Sequence, residues 1–327
     1  MNRNIQVDTL RGVACLLLVF YHVIGGFHFE DSSIYFKSMD VLSYVRMPLF
    51  TFLSGVVYAY RPVNMDNIPL YVKGKFNRIL IPMFIIGTAY AVIRNLTPGV
   101  NNTDYSMYNM HIYPVGYFWF LESIFIIFMV LIVLEKFKFL DSLKSSTYVI
   151  LLFSLINPYF VNIEIFSING FFYLMPYFLL GVIVSRYKEF FDGFFENKNV
   201  LIMGSVLALF LSLHFFEVID IGSKRTSYLA LVIGSLSCLF LYGCRFQSKL
   251  LASIGVYSYT IYLYHGFLTS GARVVLHRLY ELPTSVVIAV GFSAGTLLPI
   301  ILDELLSRNK KTSFYLLGRR LKVKVTS

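Results

Sequence analysis

Runs of about 20 apolar residues recur from one end of this 327-residue chain to the other, and they leave one kind of fold open. A helix rises about 1.5 Å per residue, so such a run matches the roughly 30 Å hydrocarbon core of a bilayer. With 57% hydrophobic and only 14% charged residues, a water-soluble domain would have nowhere to bury the apolar surface. The sequence therefore predicts an all-α, polytopic integral-membrane bundle of about ten transmembrane helices. The expected spans are 10–27, 41–60, 79–96, 116–134, 147–161, 171–185, 199–218, 227–244, 250–271 and 284–306. They form one membrane domain over 1–308, followed by a basic cytoplasmic tail over 309–327 that touches lipid head groups. The fifth and sixth spans are short, which suits a tilted or partly re-entrant course.

Lysine and arginine set the expected orientation. With the N-terminus in the cytoplasm, 21 of the 28 fall on the inner side, six on the outer side, and Arg46 alone inside a span. That bias predicts both termini in the cytoplasm. The net charge of +10 is scattered through short loops, so it points to anionic membrane lipids and away from nucleic acid. Asp8 and Arg11 precede the first apolar run and no small-residue cleavage site follows it, so it is read as a span and not as a signal peptide. Cys15, Cys238 and Cys244 lie in or beside apolar runs without disulfide or zinc spacing, and the histidines lack metal-ligand spacing. No metal site is expected. The loop 97–115 is polar, aromatic and free of Lys and Arg, as suits an outer loop near a substrate entrance.

Ionisable groups inside a bilayer are costly unless paired or hydrated, so each is a candidate site. There are four: His22, Arg46, Glu122 and His265, with Asp40 and His214 nearer span ends. From Arg11 to His22, eleven helical steps give about three full turns, so the two share a face about 16 Å apart. Arg46 and Glu122 fall about 8 Å from the outer rim, and His265 about 22 Å from the inner one. One hydrated cavity would serve all four. The plainer readings are helix-to-helix hydrogen bonding for the histidines, a structural ion pair for Arg46 and Glu122, and an interfacial place for Asp40 and His214. On the inner side Lys73, Lys75 and Arg78 cluster before the third span, suited to phosphates or to simple interfacial anchoring.

Several of these stretches resemble the acyltransferase-3 family of integral-membrane O-acyltransferases. Asp8-x-Leu10-Arg11-Gly12-x-Ala14 with His22 is similar to its Arg-x10-His signature. Arg46-Met47-Pro48-Leu49-Phe50 leading to Phe52-Leu53-Ser54-Gly55 resembles its second-span pattern. Lys75-x-x-Arg78-Ile79-Leu80-x-Pro82, Trp119-Phe120-Leu121, Pro176-Tyr177-Phe178-Leu179-Leu180-Gly181, and Gly255-x-Tyr257-Ser258-x-x-Ile261-Tyr262-Leu263-Tyr264-His265 follow in the expected order. Taken together the set covers nearly the whole chain. The resemblance implies transfer of an acyl group, usually acetyl from acetyl-CoA, to a hydroxyl of a surface glycan or its lipid-linked precursor in the bacterial inner membrane, as in O-antigen and exopolysaccharide acetylation. It implies His22 as the essential base, with Arg11 and Arg78 binding or orienting the donor. The chain differs from the bifunctional members in having no C-terminal esterase-like stretch.

On this reading acetyl-CoA is a substrate, and no cofactor is permanently bound. Lys73, Lys75 and Arg78 would hold the CoA phosphates while His22 takes the proton of a sugar hydroxyl that attacks the thioester. Glu122 would orient the imidazole or neutralise Arg46, and Arg46 or His265 would bind the acceptor or the developing oxyanion. An acyl-His or acyl-Ser54 intermediate is the covalent alternative, although no base lies beside Ser54 in the sequence. An exporter of glycans or lipid-linked sugars is the competing function, and a sensor or scaffold subunit a third.

Overall fold

A computed structural model describes residues 4–97 and 109–319, the side chains of 278 and 279 excepted. Among the described residues every regular element is helical. The helices are α1 (Ile5–Ile24), α2 (Ile34–Ala59), α3 (Ile68–Lys75), α4 (Ile81–Leu96), α5 (Trp119–Lys136), α6 (Leu143–Ile156), α7 (Ile168–Arg186), α8 (Lys188–Phe194), α9 (Asn197–Phe215), α10 (Tyr228–Gly243), α11 (Lys249–Val256), α12 (Ser258–Arg273), α13 (Thr284–Ser307) and α14 (Lys310–Leu317).

Among the described residues seven helical runs are long and apolar enough to cross a membrane: Ile5–Ile24, Ile34–Ala59, Met65–Leu96, Gly116–Lys136, Ile165–Arg186, Asn197–Phe215 and Thr284–Ser307. The Tyr228–Gly243 helix is apolar but shorter. The protein is thus a helical membrane protein. Besides the one that Tyr228–Gly243 covers, two more of the ten expected spans fall short of a single long helix. The stretch 147–161 is covered by the 14-residue α6 and a short 3-10 turn, Asn157–Phe160. The stretch 250–271 is broken at Tyr257, whose φ of −95° and ψ of 11° separate α11 from α12.

Two glycine crossings hold the centre together. A Cβ on Gly12 would sit 2.1 Å from the Leu251 carbonyl oxygen, and one on Gly255 would sit 1.9 Å from that of Asp8, so α1 and α11 touch backbone to backbone. Gly55 and Gly181 meet the Phe178 and Phe52 carbonyls in the same reciprocal way at 2.0 Å each, locking α2 against α7. Small residues permit such approaches where lipid supplies no hydrophobic drive between helices. α1 is surrounded by α2, α11, α12 and α13. Its start lies five residues before the expected one because Asn4 caps it, accepting from the Val7 N–H at 3.2 Å. Asp8, in the first turn, complements the helix dipole.

The expected tail contributes α14, which packs on α13, α4 and the turn that precedes α4. α14 ends in a left-handed Gly318 (φ 61°), whose N–H bonds the Phe314 carbonyl while that of Arg319 bonds Ser313. The Arg319 guanidinium reaches the 3%-exposed Asp303 of α13, whose other oxygen accepts from Thr260 at 2.5 Å. Most of the 97–115 loop and the end of the expected tail, residues 98–108 and 320–327, lie outside the described residues.

Candidate functional site

Arg11 and His22 lie on one unbroken helix, which carries the site from one end to the other. At the Arg11 end, Arg11 is near Asp8 (Nη1 to Oδ1, 3.6 Å) and interacts electrostatically with Arg78. The local fold around Arg78 follows from a proline. In an α-helix each N–H bonds the carbonyl four residues back, and Pro82 has none to give Arg78. The chain widens there into a π-helical turn, Phe76–Leu80, in which the Ile81 N–H reaches back to Phe76. The Arg78 carbonyl instead accepts from the Tyr259 hydroxyl at 2.6 Å. Gly318 covers it from the other side: a Cβ there would be 2.3 Å from that same oxygen. Arg78 is therefore fixed by α12 and by the C-terminal helix, with its own side chain exposed.

Lys75 lies over the Phe128 ring at 3.3 Å and faces α5, while Lys73 is exposed. The π turn that follows both lysines contains Arg78 and changes the register of the faces, which a sequence cluster cannot reveal. Two arginines, Arg11 and Arg78, remain within electrostatic reach of each other. Like charges so placed favour an anion between them, and bidentate guanidinium contacts suit phosphate.

Three turns along α1, His22 meets His265 of α12 with ring centroids 4.9 Å apart. Tyr117 completes the group, 5.7 Å from His22 and 4.5 Å from His265. His265 is fully buried, and its Nδ1 faces the carbonyls of Ile261 (3.0 Å) and Tyr262 (2.8 Å). Both neighbours are acceptors, which assigns the proton to Nδ1. Nε2 is then a bare lone pair, buried without a hydrogen-bond partner. With its proton on Nδ1, His265 can accept a hydrogen bond from a hydroxyl at Nε2.

Arg46 closes the His22 end. It is 8% exposed, its Cζ lies 3.4 Å from the centroid of the Tyr21 ring, and its Nε has no hydrogen-bond partner. It interacts electrostatically with Tyr173 and Tyr262, and with both histidines. Two further cations arrive from the segment joining α9 to α10. Lys224 Nζ lies 5.8 Å from the Tyr21 ring centroid and the Arg225 guanidinium 4.7 Å from that of Trp119. That segment is pinned by Tyr44, donating to the Gly222 carbonyl at 2.8 Å, and by Asn157, donating to that of Arg225 at 2.7 Å. Burial pulls the Arg225 guanidinium below its ordinary value, while Tyr173 and Glu164 pull it back up.

Glu122 stands apart from this group. It is 6% exposed and accepts from the Ser167 hydroxyl at 2.8 Å, on the face of α5 turned towards α7. No ion pair within 4.0 Å joins it to Arg46, and no contact to the His22 ring is seen. Phe166 and Ser167 both hold positive φ (49° and 54°), a strained corner that the Glu122 carboxylate stabilises. Ser54 donates to the Phe50 carbonyl of its own helix at 2.9 Å. Asp40 and His214, expected at the interface, pair with each other at 2.9 Å and tie α2 to α9.

Residue-type reasoning missed Tyr21, Tyr117, Tyr173, Tyr259 and Tyr262, because a neutral tyrosine in an apolar run is not costly to bury. Lys224 and Arg225 did carry a signal. They are adjacent cations on the side expected to have only six.

The chain matches none of the curated proteins and none of the solved structures with which it was compared. One family model does match, the acyltransferase domain Acyl_transf_3, over residues 4–304. That range runs from the cap of α1 to the last turns of α13 and contains both glycine crossings, both arginine forks and the two histidines. The protein belongs to the acyltransferase-3 family and is a membrane acyltransferase.

Proposed function

We propose that this protein moves an acetyl group from cytoplasmic acetyl-CoA to a hydroxyl of a bacterial surface glycan or its lipid-linked precursor. The observation that carries this reading is the His22–His265–Tyr117 ring group at one end of α1 and Arg11, in electrostatic reach of Arg78, at the other. The CoA phosphates bind the two arginines, and the pantetheine arm runs along α1 towards the histidines. His22 takes the proton of the acceptor hydroxyl as its oxygen attacks the thioester carbonyl. Arg46 binds the acceptor, and the lone pair of His265 orients its hydroxyl. When the carbon–sulfur bond breaks, the imidazolium of His22 returns the proton to the leaving thiolate. In this reading the Arg11 end faces the cytoplasm, the chain crosses the bacterial cytoplasmic membrane about ten times and both termini are cytoplasmic, as the positive-inside bias favours.

Comparing glycans by mass from cells lacking the gene and from complemented cells tests the reading. Loss of one acetyl increment per repeat, restored on complementation, is the expected result. Loss of the polymer with unmodified sugars would make the protein an exporter.

A further inference from the structure

Three cations gather at the His22 end around two tyrosines. Arg46 and Arg225 both interact with Tyr21 and Tyr173, and Lys224 approaches the Tyr21 ring. Among the described residues none of the three makes an ion pair within 4.0 Å. One acid interacts with the group, the exposed Glu164, through Arg225. Glu122, the nearest acid along α5, is held by Ser167. A buried arginine without a carboxylate, joined by two more cations, is unfavourable in a low-dielectric setting unless an anion is bound there.

The aromatic lining points to a second property of the ligand. Trp119 lies 6.4 Å from Tyr173, and Arg46 lies over Tyr21. Flat aromatic faces beside hydrogen-bonding cations suit a ring that is apolar on one face and polar at its edge, as a sugar is. Helix anchoring does not explain the arrangement. An anchoring arginine snorkels outward to water, whereas Arg46 is 8% exposed with its Nε unpartnered.

We propose that this end of the protein is a binding site for a negatively charged sugar, its carboxylate or phosphate held by Arg46, Lys224 and Arg225 and its ring laid against Trp119 and Tyr173. The inference deepens the acyl-transfer reading by giving the acceptor a charge, and it rests on that reading for the identity of the site as the acceptor end. It sets the anion beside the histidines, so the hydroxyl to be acylated lies on the charged residue of the glycan or next to it.

The chain has a single tryptophan, so its fluorescence reports on this site without turnover. Purified protein in nanodiscs is titrated with glucose, glucuronic acid and glucose 1-phosphate. Glucuronic acid or glucose 1-phosphate should perturb the Trp119 emission at concentrations about tenfold lower than glucose, and salt should weaken the response. The more effective of the two tells a sugar acid from a sugar phosphate. The K224Q/R225Q variant, altered only on the α9–α10 segment, should lose the preference. Equal responses to neutral and charged sugars, no response to the charged ones, or a preference that survives K224Q/R225Q would each overturn the proposal. Because the readout needs no donor, an anion-binding result stands even if glycan acetylation is later excluded. Conversely, confirmed acetylation without charge preference would sink this inference alone.

Discussion

Gly318→Ala tests how Arg78, the arginine proposed to bind the donor, is held, and the structure sets its size. Gly318 sits at φ 61°, where a side chain costs about 1 kcal/mol in backbone strain. The new Cβ would also lie 2.3 Å from the Arg78 carbonyl oxygen, about 1 Å inside ordinary contact. Tyr259 holds that carbonyl from the other side, so the π turn has little room to yield without moving Arg78. A misplacement of about 1 Å at a positioning group can cost about a hundredfold in rate. The expected outcome is a rise in the KM for acetyl-CoA of between about tenfold and about a hundredfold, with kcat nearly unchanged. Initial rates in membranes, measured against donor concentration at matched protein levels, give the two constants. The Arg78→Ala background supplies the control, because there Gly318→Ala should add nothing further. An unchanged donor KM would show that α14 moves instead of Arg78. An equal effect in both backgrounds would show that the helix acts by some other route.

Other perturbations separate packing from chemistry. Gly55→Ala and Gly181→Ala, which force α2 from α7, should each lower stability by about 1 to 3 kcal/mol, read from thermal unfolding in detergent; a Tm equal to wild type would contradict the backbone contact. Glu122→Ala should also act on stability, by about 1 to 3 kcal/mol through the lost Ser167 bond, while protein that remains folded keeps its kcat; abolished transfer at normal abundance would return Glu122 to the chemistry. His265→Phe, which keeps a ring but removes the lone pair, should cut kcat by about a hundredfold with little change in donor KM. Rates within twofold of wild type would make His265 a packing residue.

The membrane-helical class was legible because the apolar runs repeat regardless of detail. So was the one-faced relation of Arg11 to His22, since both lie on one helix and the 3.6-residue period carries the information. What failed was everything that depends on a local break in that period. The 250–271 run reads as continuous apolar sequence, yet it bends at Tyr257, where α11 presses its Gly255 against α1. Lys73, Lys75 and Arg78 look like one cluster on an α-helix, yet a π turn ahead of Pro82 changes their register and Lys75 lies over Phe128. The acidic residue at a favourable depth, Glu122, faces a strained corner instead of Arg46, because depth along a helix says nothing about azimuth relative to another helix. The signature glycines gain a physical reason only in three dimensions. Gly12 meets α11 and Gly55 meets α7 at partners more than a hundred residues away.

The account depends most on His22 as the proton acceptor, and one substitution addresses it directly. His22→Ala protein, reconstituted with acetyl-CoA and the native glycan acceptor, should lose acyl transfer by about a hundredfold to ten-thousandfold. Its abundance and donor binding should stay at wild-type levels, because Arg11 and Arg78 lie three turns away. Transfer within about twofold of wild type would contradict the central claim and move the base elsewhere in the buried group.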